Sequence, residues 1–296
     1  MTTVLMTWLT KWTPRLKFVV GSARELLPLG IQFTSANLIN SIYTEGRSLV
    51  IGKFYSSADL AFFNRGNQFP ALIVGNLNTP ISNVMLPLMA EKKDSQYALK
   101  SVLRKAMQLS AYLVFPMMGI LAACAHPLVL VLLGQKWAEC VPYLQVACLF
   151  YLFQPLQSMN WQALKAAGQG ALCFKLEVIK KAISFIVLIM SIPFGVFAIS
   201  LSSAFCGFVS MLINMTPNKK VLGYGIFEQL IDVLKPSIAT LFSVVIALLL
   251  IHISNGNLIS LIVAPLGSLG CYIVLSKLMN IEGFNLLMDK LSLRRN

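Results

Sequence analysis

Arg65, Gln68, Leu72, Asn76, Thr79 and Asn83 recur at spacings of 3, 4, 4, 3 and 4. That is one face of an α-helix, polar except for Leu72 and headed by a guanidinium. The segment before it repeats the arrangement, with Asn37, Asn40, Thr44 and Arg47 spaced 3, 4 and 3. In a membrane setting a charged side chain in the hydrocarbon costs upward of ~3 kcal/mol unless it reaches the interface or faces a wet interior. Two adjacent helices with such faces read as the wall of a water-filled cavity whose outer part is cationic. Interhelical hydrogen bonding and snorkelling to the interface are the other uses of the same residues.

The elements that carry these faces belong to a membrane protein. Of 296 residues, 57% are hydrophobic and only 12% charged, with a mean hydropathy of +0.74. Nearly charge-free runs near the 20-residue spanning length include Ala111–Leu133, Ala182–Met215, Ser237–Ile253 and Leu258–Leu275. They are continuous and do not alternate, which excludes a barrel. The pattern predicts an all-α integral membrane fold with about eight spans, at 25–47, 59–90, 106–125, 139–161, 172–192, 194–216, 233–253 and 257–279. Ser57 is the expected cap of the second, and Pro70, Pro80 and Pro87 with Gly75 are expected to bend it.

With the N-terminus placed inside, 20 of the 24 basic residues fall on the inner side, leaving Arg47, Lys53, Arg65 and Lys136 outside. This gives a multi-pass chain with both termini cytoplasmic. Its basic excess is accounted for by the anionic inner leaflet, so membrane lipids are partners and nucleic acid is not. The domain reading is a cytoplasmic lead-in over 1–24, a six-helix bundle over 25–216, then two further helices and a short basic tail over 217–296. The N-terminus lacks the features of a signal peptide. The connection from Glu91 to Ala106 reads either as a helix on the lipid surface or as a solvated helical extension.

Weaker candidates lie at the inner end. Gln154, Gln157, Trp161 and Lys165 share a helix face, and Lys175, Lys180 and Lys181 cluster at the start of the next span, where Glu177 can pair with Lys181. A solvated inner face is the plainer reading of that lysine cluster. The six cysteines form no CxxC pair and read as small hydrophobes. His126 and His252 stand alone near outer helix ends. No phosphate-cradling G-x-x-x-x-G-K-[ST] loop and no metal cluster occurs, so neither cofactor nor metal is expected and the chain does not read as an enzyme.

The stretches "SLVIGKFYSSADLAFFNRGNQFP", "VMLPLMAEKKDS", "VFPMMGILAACAHPLVLVLLGQKWAECVPYLQ", "LKAAGQ" and "IPFGVFAIS", in this order, resemble the Wzx-type polysaccharide exporters. These belong to the multidrug/oligosaccharidyl-lipid/polysaccharide flippase superfamily, and the nearest in flavour are the colanic-acid and O-antigen transporters. The resemblance implies the second bundle of a MATE-like flippase plus two C-terminal helices, in the bacterial inner membrane. It implies the movement of an undecaprenyl-diphosphate-linked oligosaccharide, a lipopolysaccharide, capsule or exopolysaccharide repeat unit, to the outer leaflet. Arg65 and Arg47 then suit the diphosphate, since arginine grips phosphate oxygens in a bidentate fork.

By the same resemblance the chain starts at the end of the family's sixth helix. A missing first bundle, a second copy or a polysaccharide polymerase is therefore an expected partner, and Glu45 and Glu177 are the membrane-adjacent candidates for a proton or cation site. A non-transporting scaffold of the assembly complex and a membrane glycosyltransferase or polymerase are the alternative functions. Against the enzyme stand the short outer loops and the mostly inward-facing acidic residues.

Overall fold

The computed structural model describes residues 20–93, 95–254 and 256–293, and these are helical with short connections. The long elements are α1 (Val20–Phe54), α2 (Ser57–Glu91), α3 (Gln96–Ala123), α7 (Gly170–Ser191), α8 (Val196–Met215), α10 (Ile226–Ile253) and α11 (Asn257–Leu278). Shorter ones are α4 (Ala125–Leu132), α5 (Val141–Leu152), α6 (Gln154–Ala166), α9 (Asn218–Leu222) and α12 (Glu282–Leu293). Each of the eight segments expected from hydropathy coincides with helix. Among the described residues four stretches are long and apolar enough to cross a membrane: Gln96–Ala123, Val196–Leu222, Ile226–Ile253 and Asn257–Leu278. The lead-in before residue 20, and Lys290, Arg294 and Arg295, lie outside the described residues or side chains.

Three boundaries differ from the sequence reading. The cap of α2 is Ser56, one residue earlier than expected: its Oγ accepts from the Asp59 N–H at 3.0 Å while Asp59 accepts from the Ser56 N–H at 3.2 Å. This reciprocal pair satisfies two otherwise orphaned donors. Helix α3 starts ten residues before the expected span, because Leu99 and Leu103 are buried in the core beside Met89 and Met107. Of the two readings of the connection after Glu91, the helical extension is the one found, from Gln96 onward, and its Leu99 and Leu103 are packed on the core and not solvated. The fourth span is broken at Phe153 and resumes with Pro155 in the first turn of α6, a position where the missing N–H is no loss. Helix α2 runs through Pro70, Pro80 and Pro87 without an interruption.

Helix α2 packs on α5, α6 and α3, α1 packs on α7, and α8 joins α7 to α5 and α6. The crossing of α2 over α5 is tight at Gly66, where a Cβ would lie 2.7 Å from Tyr143 Cβ and 2.8 Å from the Leu144 nitrogen. Backbone cannot move aside, so Gly66→Ala is expected to destabilise the bundle by ~1–3 kcal/mol, the usual cost of overpacking. At Gly75 nothing lies within 4 Å. Gly75→Ala should therefore leave the melting temperature of the detergent-solubilised protein unchanged or raise it, and equal melts for the two variants would refute the close crossing.

Helices α10 and α11 attach through α3. Tyr272 donates to the Tyr112 carbonyl at 3.0 Å, and Arg104 and Lys100 of α3 pair with Asp232 and Glu228 of α10 at 2.5 and 2.9 Å. Tyr224, in the turn before α10, is buried and donates to Asp232 at 2.6 Å. Burial, then this carboxylate, holds its phenol above the ordinary range. The outer faces of α10 and α11 expose Leu241, Phe242, Leu249, Ile262, Leu266 and Val274, an apolar surface suited to lipid. Their serines donate inward to the carbonyl four residues back, as Ser243 does to Ala239 and Ser276 to Tyr272. The serine hydroxyls of these two helices are thereby paired within their own helix and do not face hydrocarbon free.

Candidate functional site: a cationic recess between membrane helices

Helices α1, α5, α6, α7 and α8 enclose a polar recess of about 250 Å³. Arg47 enters it from α1, about two turns before the end of that helix, stacks on Phe63 at 5.0 Å and donates to Ser203 Oγ of α8 at 2.6 Å. From the middle of α7 come Glu177, Lys180 and Lys181. The Lys180 Nζ lies 2.6 Å from one Glu177 oxygen and the Lys181 Nζ 3.7 Å from the other. Glu177 and Lys180 are 9% and 7% exposed, the two buried residues of Asp, Glu, Lys or Arg type among the described residues. Lys180 also stacks on Trp161 at 4.8 Å, and Lys181 on Tyr43 at 4.8 Å. Aromatic faces attract cations too, so each ammonium has a second support beside the carboxylate.

The fold explains why these groups are charged and still tolerated. Glu177, Lys180 and Lys181 lie within one helical turn of each other, so one carboxylate serves two ammonium groups. The balance is three cations against one anion. A hollow of this kind attracts an anion and repels cationic cargo.

A second hollow of about 240 Å³ continues from the first and shares Asn40, Gln154, Gln157, Glu177 and Lys180, adding Asn78 of α2, Trp161 and Asn214. Gln157 is held by donating to the Gly207 carbonyl at 2.9 Å. Among the described residues no group of three or more His, Cys, Asp or Glu could hold a metal ion. The cysteines are free, five of them buried and Cys271 partly so.

The candidates from sequence are divided by this geometry. Arg47, Asn40, Thr44, Gln154 and Gln157 line the recess. Lys165 stands beside it, stacked on Trp161 at 5.7 Å, and the side chain of Asn37 lies outside the described residues. Lys175 is exposed and turned away, because two residues from Glu177 is about 200° around the helix. Its place is taken by Lys180 and Lys181, which the sequence reading left on a solvated face.

Arg65 does not share a cavity with Arg47. It stacks on Trp137 at 5.0 Å and donates to Gln68 at 2.7 Å in a separate shallow hollow. Gln68, Asn76, Thr79 and Asn83 form an exposed face of α2 opposite its core face. The expected single cavity wall is therefore two surfaces: an enclosed recess behind α1 and an open polar stripe on α2.

A buried, net-positive hollow among apolar helices is the setting in which the comparisons with known proteins are informative. Residues 1–142 match the polysaccharide biosynthesis protein family. Within that span lie both arginines and the whole α2 stripe; Glu177, Lys180 and Lys181 lie beyond it. The chain is similar to the teichuronic acid biosynthesis protein TuaB of Bacillus subtilis, 23% identical over 55% of this chain and 34% of that protein. It is 24% identical to the lipopolysaccharide biosynthesis protein WzxC of Escherichia coli, over 57% of this chain and 34% of that one. The succinoglycan biosynthesis transport protein ExoT of Rhizobium meliloti matches at 24% over 56% and 33%.

The matched part thus spans about a third of the length of each relative. In three dimensions 90% of the chain superposes on 56% of the lipid II flippase MurJ in its inward closed conformation, with a TM-score of 0.73 at 15% identity. The resemblance to the polysaccharide exporters is matched by these similarities over part of the chain, and the fold is like that of MurJ.

Proposed function

We propose that this chain takes part in moving an undecaprenyl-diphosphate-linked oligosaccharide from the inner to the outer leaflet of the bacterial plasma membrane. The observation that carries the reading is the recess itself: three cations and one carboxylate inside a bundle of apolar helices, a place that a multiply charged anion neutralises. In this reading the chain crosses the membrane eight times with both termini inside, as a six-helix bundle over 25–216 and two helices after it. The glycan diphosphate passes along the polar faces of α1 and α2 while the polyprenyl tail stays in lipid. The α2 stripe, exposed on this chain, is where a first bundle or a second copy closes the path, since alternating access needs one bundle to rock against another.

Complementation in a strain lacking its own polysaccharide flippase tests the proposal. The 296-residue chain is expressed alone, and again joined to a related first bundle, and surface polysaccharide is quantified at matched membrane levels. Export in either form supports the reading; failure of both removes it. In the competent form Arg65→Ala is expected to reduce export several-fold and Arg65→Lys to restore part of it, because lysine keeps the charge and loses the planar fork. Normal export by Arg65→Ala at equal expression would leave Arg65 as an interfacial side chain resting on Trp137.

A further inference from the structure

Within the recess one carboxylate does two things at once. Glu177 gives one oxygen to Lys180 at 2.6 Å and the other to Lys181 at 3.7 Å, so it occupies the position that an arriving anion would need. Arg47, facing the same hollow, spends an Nη1 hydrogen on Ser203, while its Nε is buried with no hydrogen-bond partner. A buried guanidinium N–H left unpaired is costly, and here it borders a hollow large enough for a small polyanion. The lysine partners are themselves pinned on aromatic faces, so they stay in place when the carboxylate turns away.

We propose that Glu177 is an internal counter-anion: it neutralises Lys180 and Lys181 between transport events and is displaced from them by a diphosphate-type anion that also takes the free Arg47 Nε–H. The inference deepens the flippase reading and rests on it for the identity of the cargo. Three cations meet one anion at rest, a surplus of two positive charges that a diphosphate dianion fills; to bond both ammonium groups as well as Arg47, it must take the places that the two Glu177 oxygens now hold. The exchange sets two properties together. A native site binds its anion moderately, because it must first part an existing ion pair, and releases it readily, because Glu177 competes for the same lysines. Weak enough binding to let go is as necessary for transport as capture.

The test is a binding measurement on the full chain purified into nanodiscs of zwitterionic lipid, titrated with inorganic pyrophosphate. Glu177→Gln is expected to bind pyrophosphate at least tenfold more tightly than the native chain, and Glu177→Asp, with its carboxylate drawn back from the lysines, to fall between them. The double variant Lys180→Gln/Lys181→Gln should bind at least tenfold more weakly. Melting curves establish that each variant is folded; Glu177→Asp keeps the question open to decision should Glu177→Gln fail to fold.

Unchanged or weaker binding by both Glu177 variants, or no binding by any form, overturns the proposal. Nanodiscs containing phosphatidylglycerol separate the sources of the anion. Loss of the pyrophosphate signal there assigns the recess to a phospholipid phosphate, and its persistence to a diphosphate cargo; the counter-anion role holds in both. Because no transport is required, tighter binding by Glu177→Gln combined with failed complementation would keep this site while removing the flippase reading.

Discussion

If the proposed export reading holds, polysaccharide export is expected to be lost when Lys180 and Lys181 are both changed to glutamine, and to stay lost when Glu177 is neutralised as well. The two steps separate folding from function. In Lys180→Gln/Lys181→Gln the Glu177 carboxylate, 9% exposed, is left without an ammonium partner. Stranding a buried charge of this kind costs ~3–5 kcal/mol, so the membrane level of the double variant should fall.

In Glu177→Gln/Lys180→Gln/Lys181→Gln no buried charge is stranded on α7, and three neutral amides on one helical turn can bond one another. The protein level should recover. Export should not, because two of the three cations that would hold a phosphate are gone. Each charge-assisted hydrogen bond is worth ~1.5–3 kcal/mol, so two of them amount to a loss of about 100-fold or more in transport. The measurement is surface polysaccharide per unit of membrane protein for native, double and triple variants, in whichever form of the chain is competent. A triple variant that exports like the native chain would make the cluster a structural brace, with no part in handling cargo.

How much of this could be read from the residues follows from the range of the interactions involved. The eight expected segments fall on helix, and among the described residues four stretches are long and apolar enough to cross a membrane, because such a run advertises itself locally over about 20 residues. The 3–4 spacing of the α2 stripe was equally local and is a real helix face. What periodicity cannot give is where a face points: the stripe lies opposite the buried Phe63, Val74 and Gly66 of the same helix, and nothing in its spacing states what it meets.

The early start of α3 escaped for a related reason. Leu99 and Leu103 alternate with Lys100 and Arg104, and those charges look solvated until their partners Glu228 and Asp232, more than 120 residues away, are brought alongside. The recess has the same origin. Arg47, Tyr43 and Ser203 meet Lys181 only through the packing of α1, α7 and α8. One local signal did point to it: Glu177, Lys180 and Lys181 sit on one turn next to the apolar run that follows Ala182, where Lys175 falls on the opposite side.

The second large effect belongs to the joint between α3 and α10. Asp232→Ala is expected to lower the melting temperature of the purified chain more than any other substitution of an acidic residue except Glu177. Its side chain is 5% exposed and accepts from three donors: Arg104 at 2.5 Å, the Tyr224 hydroxyl at 2.6 Å and, at the limit of contact, Gln108 at 3.5 Å.

Removing it affects the three unequally. Arg104 is half exposed and can turn to water, whereas Tyr224 is 1% exposed and its hydroxyl loses its acceptor inside the protein. A buried donor without a partner costs ~1–3 kcal/mol, and loss of the ion pair brings the total to ~3–5 kcal/mol. Glu228 supplies the contrast: it is 55% exposed and its pair with Lys100 is screened, so Glu228→Ala should shift the melt far less.

Asp232→Asn keeps an acceptor for Tyr224 and should fall between the two. Limited proteolysis gives an independent readout, since loosening α10 from α3 exposes the connection through Leu222–Gly225 that Tyr224 now anchors. If Asp232→Ala melts and digests like Glu228→Ala, the two C-terminal helices are held by apolar contact of the kind Tyr112 makes with Tyr272, and the polar joint contributes little.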